Sequence, residues 1–561
     1  MVENMLTNAV AYLLFIGLCA LLKFRVKADK FIVPLMTFAT CFVFYLFCKD
    51  FQTGNEKITT LLWDSSRSGD IKIDIISSLN NCKIVFPFFI ITLIALFNNL
   101  FFRYESNKRE FAAILIFNLL SLIMLIAGNN LIQIITFVFV IDILSQLFIK
   151  DIYASRRYSI YNLVADMGLF LVMAMLKGKL ETLEIGSVGH YYETGRHRDF
   201  IMFVIMVSLF IKMGFFLFQS YLLDLKNTKF HKLILIYYLS TPMVALILFM
   251  KFYPLLVVSP SFEMCLNIAI VLTMCWGTIG MIAINNLKEK TVYLNMLIMA
   301  IVVKLLQCSE FVWNMQLSIM LVAGFCLNLC LYYTHYYLNR ESDLSYIYTE
   351  PLGNKKAIKF ITVVYMLTAC VFFSQLEIVY SNLSLPWICF FAALFVVASS
   401  NLYAQIFSLF KKNMQKLKFD FRPLLILSLC VFVESFILFE YKPYWLYPLI
   451  FIVTFVALIM LYPLKFIFEK KQLNTKLQKI DFFAHIYDIM IVNPVKIIGR
   501  WLTVLFDFMF IEKTLTAMGT SVNSFTIRVF RKFVRNWPVY YSINFILAIL
   551  VVIWCFIKGS K

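Results

Sequence analysis

The sequence predicts an all-α, polytopic membrane protein with about sixteen transmembrane helices. Three observations carry that prediction. Of the 561 residues, 61% are hydrophobic and only 15% are charged, and the mean hydropathy is +0.82. A soluble chain cannot bury that much apolar surface. Apolar runs of about 18–25 residues, the length that crosses a bilayer core, recur along almost the whole chain. Between them, loops rich in cations alternate with loops that have almost none.

The runs lie near 5–22, 31–48, 83–102, 110–128, 130–149, 158–176, 200–223, 232–251, 264–285, 291–307, 312–336, 357–379, 384–409, 422–439, 444–467 and 539–557. Met1 to Asn8 carries Glu3 as its sole charge, so the first run is expected to be a retained helix, not a cleaved signal. No stretch resembles a folded soluble domain. Loops after odd-numbered runs hold Lys23/Arg25/Lys27, Arg103/Lys108/Arg109, Lys150/Arg156/Arg157, Lys226/Lys229/Lys232, Lys288/Lys290, Lys355/Lys356 and Lys411/Lys412. Several loops after even-numbered runs, for example Gly128 to Asn130 and Tyr380 to Pro386, are nearly free of cations. The positive-inside rule then puts the amino terminus outside and the odd-to-even loops on the cytoplasmic or matrix side.

Ile480 to Asn536 differs in kind. Phe482, Phe483, Trp501, Phe508 and Phe525 are mixed there with Asp488, Lys496, Arg500, Asp507, Arg528 and Arg531. Such a segment is too charged to span and too apolar for a solvated linker. It is expected to lie along the membrane surface as a lateral amphipathic helix, interrupted at Pro494 and Gly519.

Several function classes are excluded. The net charge of +19 lies between hydrophobic runs and is no nucleic-acid signal. The thirteen cysteines and five histidines form no CxxC or ligand cluster, so no metal, redox centre or other cofactor is expected. The lipid bilayer is the one partner that composition implies.

Lys212 stands in the middle of the apolar run from Phe200 to Leu223, too far from either end to snorkel. A cation there costs roughly 2.5–3.5 kcal/mol on insertion scales, which makes it a candidate for proton transfer. Taken alone, it fits a polar crevice as well.

The residues that follow narrow the choice. Lys212, Gln219, Tyr221 and Asp224, then a run containing Tyr237 and ending at Lys251, resemble the signature of the antiporter-like membrane subunits of proton-pumping NADH:quinone oxidoreductase, complex I. In that family a buried lysine is followed at this spacing by glutamine, an aromatic residue and aspartate. The family's proline-rich turn is replaced by Thr228 to Lys232, and its next histidine falls on Tyr237, a poor proton carrier at neutral pH. Asp142 is the acid nearest the family's glutamate partner of the lysine; counting from Asn130 puts Phe139 there instead. Asn162 to Gly168 is similar to a further family motif, with Asp166 kept and its arginine replaced by Leu163.

Cys370 to Ile378 is similar to the motif in which Phe-Phe-Ser precedes a second proton-channel lysine, but Gln375 stands where that lysine belongs. Leu317 to Phe325, where the family places a histidine and a lysine, contains neither. Glu377, Lys304 and Glu434 are the candidates for a rerouted path. The tail motifs Ile486 to Pro494 and Phe506 to Glu512 resemble the lateral helix of chain 5, the distal antiporter-like subunit.

The resemblance implies amino-terminal helices at 1–109, two inverted-repeat bundles at 110–256 and 257–412, further helices at 413–470, the lateral helix at 471–536 and an anchor at 537–561. It implies proton translocation in an energy-transducing membrane, coupled to electron transfer in the other membrane subunits of a complex I-like assembly. The proton-transfer residues would be Lys212, Asp142, Asp166, Tyr237, Gln375 and Glu377, with the second half-channel impaired. A subunit of a multisubunit cation/proton antiporter and a non-transporting structural paralogue remain alternatives. The loop alternation predicts that single cysteines near Lys229 and near Ser381 are labelled by an impermeant reagent from opposite sides. Labelling of both from one side would refute the helix count.

Overall fold

The computed structural model describes residues 5–21, 29–53, 58–64, 72–101, 108–149, 151–177, 184–185, 196–283 and 287–338, with single positions between 361 and 372 and at 493, 497 and 501. The described part is a helical bundle. Helices α1 (Met5–Leu21) and α2 (Asp29–Thr53) precede an antiparallel hairpin, β1 (Ile58–Asp64) and β2 (Lys72–Ser77). Then come α3 (Leu79–Phe101), α4 (Lys108–Ala127), α5 (Leu131–Gln146), α6 (Ile152–Lys177) and α7 (Arg196–Met213). A short α8 (Ser220–Leu223) leads into a 3-10 turn, followed by α9 (Phe230–Leu239), α10 (Thr241–Leu256), α11 (Phe262–Ala283), α12 (Leu287–Cys308) and α13 (Met315–Leu338).

Among the described residues, seven helical stretches are long and apolar enough to cross a membrane: Leu79–Leu100, Lys108–Ala127, Ile152–Lys177, Phe230–Leu256, Phe262–Met281, Lys288–Cys308 and Met315–His335. Leu6–Leu18, Ile32–Cys48 and Leu131–Gln146 are apolar but shorter. Helix α7 falls outside the seven because Arg196, Arg198, Asp199 and Lys212 share its 18 residues. Helices α4, α9, α10, α12 and α13 are buried on nearly every side, as all-round apolar helices should be. Between 361 and 372 the described positions, Ile361, Val364, Tyr365, Thr368, Ala369 and Phe372, are all buried and follow helical spacing. The predicted spans from 384 onward and the lateral segment lie outside the described residues, apart from Asn493, Ile497 and Trp501.

Three features depart from the sequence expectation. The hairpin breaks the all-α reading; Ile58 pairs with Ser77 and Asp64 with Lys72. Its strands are short, β-branched and aromatic, which marks pleated structure where helical periodicity is absent. The hairpin docks on the α4–α5 turn: Asp74 Oδ1 accepts from Asn129 N at 3.1 Å, and Gln133 Oε1 accepts from Asp74 N at 3.0 Å. Second, the run 232–251 is interrupted at Ser240, where Pro242 opens α10 and removes a backbone donor. Third, the run 200–223 breaks after Met213. Gly214 turns at φ +65°, and a Cβ there would lie 2.1 Å from Leu222 Cδ1, so glycine is required.

Contacts between the connecting segments fall into two sets. At one end, Arg157 at the start of α6 pairs with Asp224, Lys288 Nζ donates to Thr228 O at 3.3 Å, and Phe111 meets His231 at 5.7 Å between centroids. At the other, Lys251 Nζ donates to Gly128 O at 2.6 Å, Asn130 bridges to Glu184, and Ser259 Oγ donates to Asp199 Oδ1 at 2.8 Å. Segments after odd-numbered runs thus meet one another, as do segments after even-numbered runs.

Helices α6 and α7 touch most closely at Gly168, where an added Cβ would lie 2.2 Å from Ser208 Oγ but 3.5 Å from Ser208 Cβ. Gly168→Ala is expected to cost about 1–3 kcal/mol through overpacking. Adding Ser208→Ala should restore most of that loss. Thermal unfolding of the detergent-solubilised protein measures both; a double variant as unstable as Gly168→Ala alone would refute the close-approach account.

Candidate functional site

Four helices converge on Lys212. It ends α7, and its side chain is fully buried. Nζ donates to Asp142 Oδ2 of α5 at 2.7 Å. It also lies 2.7 Å from Asp166 Oδ1 of α6. The second contact has the distance of an ion pair without the direction of a hydrogen bond, and Asp166 Oδ1 has no hydrogen-bond partner among the described residues. Asp142 and Asp166 are 2% and 3% exposed. One ammonium therefore meets two carboxylates in the protein interior, where an unmatched charge would be strongly destabilising.

Residues beyond this trio hold it in place. Thr241, the first residue of α10, donates to Asp142 Oδ1 at 3.0 Å. Tyr158 of α6 hydrogen-bonds Thr241 in turn. The break after Met213 is stapled by Tyr221, whose hydroxyl donates to Ile211 O at 3.0 Å and Lys212 O at 2.9 Å. Ile211 O keeps a backbone donor in the turn, Gly214 N at 3.1 Å. Lys212 O loses its helical one, since Phe216 N turns to Thr273 Oγ1, and an unsatisfied carbonyl in an apolar interior is costly. Tyr161 stacks near Tyr221 at 4.8 Å and shares a hydrogen bond of 2.5 Å with Ser220. Leu217, inside the break, adopts φ +82°, a conformation rare for residues other than glycine.

The other sequence candidates scatter. Tyr237 is 1% exposed, and its hydroxyl has no hydrogen-bond partner among the described residues. It lies within electrostatic reach of Tyr158, Tyr238 and Tyr293, which puts it beside the trio but outside it. Leu163 is half-buried on α6 and brings no charge to Asp166. Lys304 is one turn from the end of α12, where Nζ donates to Asn267 Oδ1 at 2.7 Å and Gln307 Oε1 at 2.9 Å. Gln375, Glu377 and Glu434 lie outside the described residues.

Sequence reasoning missed Asp166 as a direct neighbour of Lys212, and it missed Thr241 and Tyr158 altogether. Tyr158, Asn162 and Asp166 recur every four residues on α6, a polar stripe on an apolar helix that would have pointed to one face. Thr241 left no such trace. A second polar node was also unforeseen: Asn328 Nδ2 of α13 donates to Asn295 Oδ1 at 2.8 Å and to Tyr238 Oη at 3.0 Å, all three residues being buried.

No family model matches this sequence, and no curated protein does. A solved structure does match: a chain of respiratory complex I from Thermus thermophilus with bound NADH. It aligns with a TM-score of 0.62 over 77% of this chain and 94% of that chain, at 13% identity. The two chains share a fold. Identity at that level carries no further claim.

The staple makes its own prediction. Tyr221→Phe leaves the buried Lys212 carbonyl without its phenol donor, while Ile211 O keeps Gly214 N at 3.1 Å, and is expected to cost about 1–3 kcal/mol. Thermal unfolding measures it, and an unchanged midpoint would show that the break is held by packing alone.

Proposed function

We propose that this chain is a membrane-arm subunit of a respiratory NADH:quinone oxidoreductase and that the Lys212 cluster takes part in proton translocation. One observation carries the reading: a fully buried lysine at the end of a broken helix, matched by carboxylates from two neighbouring helices. A broken helix is tolerated at membrane depth only where protein covers it or a cavity lines it, and such breaks mark ion pathways in transporters. An ammonium between two carboxylates can pass a proton among three atoms by small side-chain movements. The shared fold with a complex I chain supports the kind of assembly.

The finer parts of the reading rest on sequence resemblance. They are a chain 5-like identity with a lateral helix, two inverted-repeat bundles, and odd-to-even loops on the cytoplasmic or matrix side. With Gln375 in place of a lysine, the second half-channel would contribute less than the first. Electron transfer, flavin, iron–sulfur clusters and quinone would belong to other subunits. A scaffold role is the competing reading, favoured by Tyr237 and Leu163 where the resemblance expects a histidine and an arginine.

Proton uptake into vesicles on NADH addition separates the two. Lys212→Ala in the fully assembled complex is expected to lower it at least about tenfold, a barrier change of roughly 1.4 kcal/mol. Lys212→Arg keeps a charge that does not deprotonate in proteins and should do the same. Gln375→Lys should leave uptake intact. Normal pumping by assembled Lys212→Ala and Lys212→Arg complexes would establish the scaffold role.

A further inference from the structure

The two carboxylates that meet Lys212 are held differently. Asp142 is anchored at both oxygens, Oδ2 by Lys212 Nζ at 2.7 Å and Oδ1 by Thr241 Oγ1 at 3.0 Å. Thr241 is fixed in turn by Tyr158. Asp166 approaches Nζ at the same 2.7 Å, yet its Oδ1 has no hydrogen-bond partner. A carboxyl group that receives a proton from an ammonium must turn away before the proton returns. For Asp142, turning breaks the Thr241 bond and strands a buried hydroxyl pair. For Asp166, turning gives up the 2.7 Å contact of Oδ1 with Lys212 Nζ, but Oδ1 has no hydroxyl anchor among the described residues of the kind that ties Asp142.

A second observation shows where Asp166 can turn. Asn162 lies one helical turn earlier on α6, so its side chain neighbours that of Asp166. It is 1% exposed, and neither its Oδ1 nor its Nδ2 has a hydrogen-bond partner among the described residues. A buried amide left wholly unmatched is unusual. Its oxygen can accept the O–H of a neutral carboxylic acid.

We propose that Asp166 is the exchangeable member of the cluster and Asp142 its fixed counter-ion. A proton leaves Lys212 Nζ and bonds to Asp166 Oδ1, so that ammonium and carboxylate become amine and carboxylic acid with no other reactant. The acid then turns toward Asn162 and carries the proton out of the cluster. Asp142 keeps its hydroxyl anchor throughout and stays in place to re-pair Lys212 when the next proton arrives. This assignment deepens the proton-translocation reading and rests on it.

Infrared difference spectra of the purified full-length protein, acidic minus alkaline buffer, test the assignment. A protonated-carboxyl C=O band that shifts in D2O is expected in the unsubstituted protein, lost in Asp166→Asn and kept in Asp142→Asn. Asn162→Leu should shift the band to higher frequency, because the acid loses its acceptor. Asp142→Asn leaves Lys212 with one carboxylate and can fail to fold, so Thr241→Val is the companion variant. It frees Asp142 while keeping both acids, and should add a second band that Thr241→Ser does not. A band lost in Asp142→Asn but kept in Asp166→Asn overturns the proposal. So does the absence of any Asp166-dependent band, or a Thr241→Val spectrum identical to the parent. These spectra need no electron transfer, so failed NADH-driven uptake with the expected bands would remove the respiratory role and leave the assignment of Asp166 standing.

Discussion

An ammonium sealed from solvent is the constraint on which the rest of this structure turns. Lys212 is fully buried, and a buried charge persists only when opposite charge and hydrogen bonds replace its lost water. Meeting that demand fixes where four helices cross. Helix α5 supplies Asp142, α6 supplies Asp166, α7 ends at the lysine, and α10 begins with the Thr241 that orients Asp142. The glycine contact at Gly168 belongs to the same requirement, since α6 and α7 must nearly touch for Asp166 to reach Nζ. The break at Gly214 follows too. It releases the Lys212 carbonyl that an unbroken helix would have used, and Tyr221 supplies a donor for it.

Much of this architecture was legible in the sequence, and the reasons are physical. Membrane helices advertise themselves through length and hydropathy. Arg157 with Asp224 and Lys288 with Thr228 bring neighbouring connecting segments together. An isolated charge in an apolar run is conspicuous, so Lys212 stood out at once. The sequence offers Asp142 as the acid nearest the position of the family's glutamate and Phe139 by a count from Asn130; the structure puts Asp142 against Nζ. What the sequence hid were features without a charge or a period. The hairpin strands are too short to oppose the helical signal around them. Thr241 is one hydroxyl residue among many that could have capped its own helix. The helix break looked apolar because its cause is the backbone of Gly214, not a polar side chain.

The two buried polar assemblies differ in a way that bears on what each can do. Around Lys212 the groups are ionic, so every change of protonation changes the charge that the neighbours must balance. Around Asn328 they are neutral: two amides and a phenol are joined through Asn295 Oδ1 and Tyr238 Oη, while Asn295 Nδ2 and Asn328 Oδ1 have no hydrogen-bond partner among the described residues. A neutral node orders helices α9, α12 and α13 without creating any demand for counter-ions.

The contrast explains why charge is concentrated where the helix breaks. A neutral amide cluster can sit on unbroken helices because it only has to be satisfied once. A cluster that exchanges a proton must be satisfied in two states, and the second state needs a side chain with room to move and an unused partner within reach. Asp142 has neither, being tied at both oxygens. Asp166 Oδ1 lacks such a second tie, and the amide of Asn162 one turn away has no hydrogen-bond partner among the described residues. The backbone meets the same requirement on the lysine side. A lysine in mid-helix is flanked by carbonyls already committed to the helical ladder. At the end of α7 the Lys212 carbonyl is held by the Tyr221 hydroxyl, while Ile211 O also accepts from Gly214 N. Rigid anchoring on the Asp142 side and slack on the Asp166 side give the cluster a direction, which a symmetric pair of carboxylates would lack.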